Sequence, residues 1–260
     1  MCALIGMAIY STEENGKDEY LEKTLQSLRE TVDFNKHRLQ VSVNAATKTT
    51  NELLIEYSDI IEEVHRNKEN IGTAEAINRV WKEKLLGEGC IKMDDDVTTK
   101  YVGWVDEMEE AIARESRIGQ IGLKRKDCIE SPSTQGWYSS ELLMLPHKPG
   151  EKWIVVEQVN HVMGTCVMHS SALLDKIGYL YQPKLYGFDD AFASLRSTLA
   201  GFINVFLPHI EIEHIDTGAT SYQKWKENHA AECWDEYRES VKDYKSGKKN
   251  IYYSPFKTNQ

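Results

Sequence analysis

Cysteine is sparse and shows no pairing pattern. The five cysteines (Cys2, Cys90, Cys128, Cys166 and Cys233) are scattered over 260 residues with no C-x-x-C spacing. That argues against a disulfide framework or clustered zinc site and reads as a reducing, cytoplasmic compartment. Long hydrophobic runs are missing as well. The apolar stretch from Cys2 to Tyr10 falls well short of the about 20 residues a membrane helix needs, and it has no basic leader of the signal-peptide kind. An excess of positive charge is also absent: 31 Lys and Arg stand against 41 Asp and Glu, a net charge of −10. Such a chain has no general attraction for nucleic acid or anionic membrane, although a local basic patch can still bind either. There is no internal repeat and no low-complexity segment. What remains is an ordinary globular composition, 41% apolar and 28% charged. The length suits one large α/β domain with an extension, or two small domains.

The first hundred residues alternate strand and helix signals. Ala3 to Tyr10 is a continuous apolar run, as expected of a strand buried on both faces. Tyr20 to Arg29 carries Leu21, Leu25 and Leu28 on one helical face. Strands are expected at Leu39–Val43, Ile60–His65 and Cys90–Met93. The helices between them are expected after Thr50, as a cap, and over Thr73–Lys84. This alternation predicts a parallel sheet. The polar clusters Ser11–Glu14, Asn44–Thr47 and Asp94–Asp96 all fall at the carboxyl ends of its strands, where such sheets bind ligands. Beyond residue 100, a helix is expected over Gly103–Arg114 and a strand over Ile118–Leu123. An irregular stretch follows from 127 to 160. A strand–helix unit then covers Gly164–Gly178, with a helix over Ala191–Ala200 and short strands at Asn204–Pro208 and Glu211–Ile215. From Tyr222 onward, Trp234, Tyr237, Val241 and Tyr244 form one helical stripe that packs on the main domain or on a partner, which includes a second copy of the chain.

Three adjacent carboxylates after an apolar strand repel one another unless something positive sits among them, and a divalent cation is one such group. In an extended segment Asp94 and Asp96 point the same way, so both can face one hard cation, magnesium or manganese. The alternative is a solvated acidic loop. Two enzyme classes place such a pair at a strand end. In phosphatases of the haloacid-dehalogenase type Asp94 would be a nucleophile, and Met93-Asp94-Asp95-Asp96-Val97-Thr98 fits that pattern. There, however, the acidic strand opens the domain, whereas three strand–helix units precede it here.

The second class is the nucleotide-sugar transferases. In order along the chain, "EYLEKTLQSL" (Glu19–Leu28), "RNKENIGTAEAINRVW" (Arg66–Trp81), "MDDDV" (Met93–Val97), "MGTCVMHSSALLDKIGYL" (Met163–Leu180), "YGFDDAFASLRSTLAGF" (Tyr186–Phe202) and "EHIDTG" (Glu213–Gly218) resemble the successive motifs of family-two glycosyltransferases of the GT-A fold. The resemblance covers roughly residues 3 to 220. It implies a Rossmann-like, mostly parallel sheet in a domain of residues 1–220, with a nucleotide-binding half (about 1–100) and an acceptor-binding half (about 101–220). Residues 221–260 would form a C-terminal helical extension.

The resemblance also implies roles. Asp96 would coordinate the cation that bridges the donor diphosphate, with Asp94 at the ribose or the ion's water shell and Asp95 beside them on the donor. His214 would be a further ligand, one that suits Mn2+ better than Mg2+. Asp190 would be the base that deprotonates the acceptor hydroxyl, giving inversion. Asp189 stands where the family usually has Glu, and the alternative for the Asp189-Asp190 pair is a helix cap. Asn44 stands where the family commonly has a base-contacting Asp. Tyr10 and Ser11, at the end of the first strand, are candidates for base stacking and backbone contact, and Asn70 and Gly72 lead into a helix whose N-terminus would face the nucleotide; the alternative for Gly72 is turn chemistry. Lys224 and Lys226 would close over the diphosphate. Trp137, Tyr138 and Arg125 (in Lys124-Arg125-Lys126) are candidates for the acceptor, with core anchoring or a solvated turn as alternatives. Blander readings go to His209 (exposed loop), His161 and His169 (satisfied polar groups) and Arg196 (a structural pair with an acidic neighbour such as Asp189). The expected activity is inverting transfer from a nucleotide sugar, most simply a UDP-sugar, to a hydroxyl of a glycan, a teichoic or lipid-linked acceptor, or a hydroxymethylated viral DNA base. A non-catalytic nucleotide- or glycan-binding module is the remaining alternative.

Overall fold

The first strand, β1 (Ala3–Tyr10), is buried along both faces because its residues serve two cores. Ile5, Met7 and Ile9 pack with Leu21, Leu25 and Leu28 of α1 (Asp18–Thr31). On the opposite face Leu4 packs with Ile77, Val80 and Trp81 of α3 (Thr73–Trp81). This is the period-two alternation that makes a central strand read as uniformly apolar. In the computed structural model, residues 2–127, 141–216 and 221–256 are described; Cys128, Trp137 and Tyr138 lie outside them. β1 is flanked in parallel by β2 (Arg38–Ala45) and β4 (Gly89–Met93), with β3 (Ile61–Arg66) parallel outside β2. The expected parallel unit is therefore present.

The sheet continues past β4 with mixed direction. β9 (Cys166–His169) runs antiparallel between β4 and β6 (Ile118–Arg125). Next come β10 (Ile203–His214), parallel to β6, then β8 (Val155–Val159) and β7 (Glu141–Met144), the last two antiparallel to their neighbours. The two-residue β5 (Val97–Thr98) pairs with the end of β10. The ten strands are covered by helices that include α4 (Trp104–Arg114), α5 (Ser171–Ile177) and α6 (Asp189–Leu199). α7 (Ser221–Glu232) and α8 (Trp234–Lys245) form the C-terminal part. No helix among the described residues is long and apolar enough to cross a membrane.

Several local expectations change. The two short strands around Pro208 are one strand, because the register against β6 shifts between Leu207 and Glu211 and a proline without an N–H fits such an irregularity. The stretch 127–160 contains β7 and β8; β8 was hidden by its polar residues, of which Glu157 is buried in an ion pair with Lys124 at 2.7 Å. The cap of α2 (Lys48–Glu56) is Thr47, with Thr50 as the reciprocal member of a capping box. His209 lies within β10 and contacts the buried Glu107 at 2.7 Å, so it is not in a loop.

Arg196 does not pair with Asp189. It is fully buried and donates to the carbonyls of Tyr179 (2.9 Å), Ile251 (2.6 Å) and Ile177, tying α6 to the end of α5 and to the C-terminal segment. That segment presses closely on the domain. Gly178 has φ +72°, and a Cβ there would stand 2.1 Å from the carbonyl oxygen of Tyr253. The aromatic stripe of α8 packs within the chain: Tyr237 stacks on Phe188 at 4.5 Å, and Tyr237 and Tyr244 both meet Phe192 edge-on. The stripe thus packs in part on α6 and its cap, with Trp234 remaining 47% exposed. Arg196→Met should leave the Tyr179 and Ile251 carbonyls without this donor, while the Ile177 carbonyl keeps the Tyr253 N–H, and lower the unfolding free energy by about 2–6 kcal/mol, read from urea denaturation.

Candidate active site

A cavity of about 620 Å³ opens at the carboxyl ends of β1, β2 and β4, where open α/β sheets place their ligands. Its described lining holds seven aspartates against four Lys and Arg side chains. The arrangement therefore depends on how that negative charge is compensated.

Part of the compensation is internal. Lys17, just ahead of α1, buries its ammonium between Asp96 (2.5 Å) and Asp216 (2.9 Å), and Lys226 reaches Asp216 from α7 at 3.5 Å. Burial alone would pull the Lys17 ammonium down; the charges of Asp95 and Asp96 and its two hydrogen bonds hold it above its ordinary value instead. Asp96 is likewise pushed up by burial but held well below the carboxylate range by His214 and Lys17. Asp95, buried and beside Asp96, is pushed up to about 7.

His214 reaches Asp96 through strand pairing: β10 places His214 opposite Val97, and the Ile215 N–H donates to the Asp96 carbonyl at 2.9 Å. Asp96 Oδ1 is buried and makes no hydrogen bond, and it faces His214 Nε2 at 3.3 Å. An orphaned carboxylate oxygen beside an imidazole nitrogen is a donor set that fits manganese or magnesium. No group of three or more His, Cys, Asp or Glu ligands occurs among the described residues. A cation held here would therefore complete its shell from water and from substrate oxygens.

The second compensating lysine is Lys92. It sits on β4 two residues before Asp94, on the same face, and is buried in an otherwise apolar strand. Its ammonium lies 3.4 Å from Asp94 and 3.2 Å from Asp189, joining the β4 carboxylates to those of α6. Gly164 makes the passage possible, since a Cβ there would stand 2.6 Å from Lys92 Nζ and 3.1 Å from the Asp190 Cβ. Asp190 accepts from the Gly164 N–H (3.0 Å) and the Ala191 N–H (2.7 Å), and His161 Nε2 lies 3.4 Å from its Oδ2. The α6 cap itself is Phe188, at φ 64°, so Asp189 and Asp190 stand in the first turn and not at the cap. A left-handed non-glycine residue costs on the order of 1–3 kcal/mol. The Phe188 ring is gripped by Trp234 and Tyr237.

The remaining expected residues divide. Tyr10 lines the cavity, with the Trp225 ring nearly parallel to it (22°) at 6.3 Å. Asn44 and Asn70 line it too, but their amides organise the 67–72 loop. Asn44 accepts from Asn67 (2.9 Å) and Ile71 (3.3 Å) and donates to the Gly72 carbonyl, and Asn70 accepts from the Gly72 N–H at 2.9 Å. Gly72, at φ +83°, is required where a Cβ would come within 2.9 Å of the Leu185 backbone. Ser11 does not reach the cavity. It is buried and donates to Asp18 at 2.8 Å, in a cluster shared with Thr47 and Thr50 that joins β1, α1 and α2. Lys226 lines the cavity, whereas Lys224 is exposed on α7 and does not. Arg125 lines it in an ion pair with Asp127.

Lys17, Lys92, His161, Asp216, Tyr186 and Trp225 were missed or read blandly. Only Lys92 carried a local signal, a charge inside a short buried strand.

No protein-family model matches the chain, and no curated protein matches its sequence. Among solved structures it resembles the mannosyltransferase PcManGT of Pyrobaculum calidifontis, solved with GDP-Man and Mn2+ (TM-score 0.64, 14% identity, 86% of this chain and 59% of that one). It also resembles residues 1–349 of S. aureus TarS (TM-score 0.57, 16% identity, 84% and 59%). A third similar structure is GalNAc-T7, solved with UDP, GalNAc and Mn2+ (TM-score 0.59, 12% identity, 82% and 43%). The chain has the GT-A-type glycosyltransferase fold and spans well under two thirds of each of these chains.

Lys17→Met would leave Asp96 and Asp216 without their shared ammonium, a change that costs about 3–5 kcal/mol when a buried pair is broken. Its melting temperature should fall, and MnCl2 should restore more of it in the variant than in the native chain, as read by thermal shift.

Proposed function

We propose that this chain is an inverting glycosyltransferase that uses a nucleotide-sugar donor, most simply a UDP-sugar, together with Mn2+ or Mg2+. The observation that carries this reading is the pairing of a buried, orphaned Asp96 oxygen with His214 in the same cavity as the fixed carboxylate of Asp190. The neighbouring structures with nucleotide sugars and Mn2+ support it.

Asp96 and His214 would hold the cation, with Asp94 beside them. When bound, the cation supplies charge neutralisation for the departing nucleoside diphosphate. Tyr10 and Trp225 offer aromatic faces to a base, with Asn70 near the same end. Asn44 acts through the loop it organises and not as a base-reading residue. Lys226 is placed to meet the diphosphate. Asp190 is the base: held ionised, with both oxygens oriented by backbone N–H groups, it takes the proton of the acceptor hydroxyl. The acceptor oxygen then bonds the anomeric carbon from the face opposite the leaving group. Asp189, held by Lys92, keeps the donor and acceptor carboxylates in register.

On this reading residues 1–220 form the catalytic unit, and the helices after 220 contribute Trp225 and Lys226 to it. Arg125, with Trp137 and Tyr138 outside the described residues, marks the acceptor side. The acceptor hydroxyl belongs to a glycan, a teichoic or lipid-linked molecule, or a modified nucleic-acid base, and the compartment is the cytoplasm.

A thermal-shift series with UDP, GDP, CDP, TDP and AMP, each with and without Mn2+, tests the donor. One diphosphate should raise the melting temperature only with the metal, and a ligand at a hundred times its dissociation constant stabilises by about 2.7 kcal/mol. No shift with any nucleotide, but one with phosphate and Mg2+, would instead favour a phosphatase. Asp190→Asn should cut transfer by about 10²–10⁴-fold, the range of general-base catalysis, while donor affinity stays within about a few fold. Asp96→Asn should weaken only the metal-dependent part of donor binding, measured by titration with and without EDTA.

A further inference from the structure

His161 stands in the cavity with no task in the chemistry above. It follows β8, and its ring is one-third exposed to the cavity, yet its Nε2 is buried and makes no hydrogen bond. That nitrogen points at Asp190 Oδ2 from 3.4 Å. Asp190 is otherwise fixed by the Gly164 and Ala191 N–H groups, so the carboxylate cannot turn away from the imidazole.

We propose that His161 is the positioning residue that sets the basicity of Asp190, the two side chains acting as one proton-accepting pair toward the acceptor hydroxyl. This rests on the reading of Asp190 as the base.

The charges around the pair determine how it works. From α6, Asp189 and Asp190 face His161; from β4, Lys92 reaches Asp189 at 3.2 Å. Arg125 and Asp127, at the end of β6, line the same cavity but pair with each other. Burial alone would lower the imidazole, but the two aspartates hold it above its ordinary 6.5. Burial raises Asp190, and His161, Lys92 and the Gly164 N–H together hold it far below the carboxylate range. While His161 is an imidazolium, then, Asp190 is ionised but a weak base. Loss of the imidazolium proton removes the nearest positive charge and makes Asp190 a stronger one. In the transfer step the hydroxyl proton passes to Asp190 and the acceptor oxygen bonds the anomeric carbon. The anomeric C–O bond to the diphosphate breaks, and its electron pair leaves with the nucleoside diphosphate. The rate therefore rises with pH as His161 deprotonates.

Two measurements test this. The first is the titration of the imidazole by NMR on histidine-labelled protein, with the His161 signal assigned by its loss in His161→Gln. The midpoint should lie above 6.5 in the native chain and fall in Asp190→Asn. An unchanged midpoint overturns the pairing whatever the reaction is. The second is nucleotide release from UDP-GlcNAc, UDP-glucose and GDP-mannose with Mn2+, followed from pH 6 to 9. The native rate at pH 6 should lie at least about fourfold below its plateau, as a group titrating above 6.5 requires. His161→Gln should flatten that limb to within about twofold without moving the donor KM. His161→Asn, of different length, is the second variant should the first not fold. A His161→Gln profile identical to the native one overturns the proposal while Asp190→Asn is still inactive; activity retained in Asp190→Asn overturns the underlying reading of the base instead.

Discussion

Carboxylates gathered at the end of β4 and the start of α6 can coexist in a largely buried cavity only if positive groups reach them from inside the fold. Lys17 and Lys92 provide two such groups. One ammonium bridges Asp96 and Asp216, and the other bridges Asp94 and Asp189. The Coulomb attraction is large because water is largely excluded, and it is needed because each uncompensated buried charge would cost several kcal/mol. The rest of the site follows from these two bridges. α1 must start beside β4 to deliver Lys17, α6 must start beside β9 to meet Lys92, and the end of β10 with the residues after it must pass over the β4 end to bring His214 and Asp216.

Such close convergence leaves no room for side chains at the crossing points. Gly164 lies against Lys92 and Asp190, and Gly72 lies against the Leu185 backbone. Phe188 takes a left-handed backbone at the head of α6 and is held there by the aromatic rings of α8. The C-terminal helices are thereby coupled to the site twice. α8 supports the turn that aims Asp189 and Asp190, and α7 places Trp225 and Lys226 in the cavity wall. Packing far from the reacting groups and the orientation of those groups are parts of one structure.

On the proposed reading, the charge balance bears on how an acidic chain would meet an anionic donor. The described lining carries three more aspartates than Lys and Arg residues, so a bare diphosphate would be repelled. Asp96 and His214 would hold a cation that supplies positive charge there, and Lys226 stands at the same end of the cavity, 3.5 Å from Asp216. On that reading, donor recognition and metal uptake would be linked through electrostatics.

Asp96, Asp190 and His214 were singled out by the resemblance to family-two glycosyltransferases, whereas local pattern alone determined the parallel half of the sheet and the carboxyl-end placement of the polar clusters. Those features rest on short-range rules: apolar runs, helical periodicity and the position of acids after a strand. The same rules failed where partners are distant in sequence. Lys17 and Asp216 are 199 residues apart, and nothing near either one announces the pairing. Ser11 read as a ligand contact because it directly follows β1, but its hydroxyl donates to Asp18. Arg196 read as an acid's partner because Asp189 lies two turns away, but it donates to carbonyls at the end of α5 and in the C-terminal segment, which only the fold brings near it. His161 read as an ordinary polar residue because its meaning depends on Asp190, on another element. Periodicity and composition report which face of an element is buried. Which buried charges meet is decided by the packing of elements, and only the tertiary structure contains that.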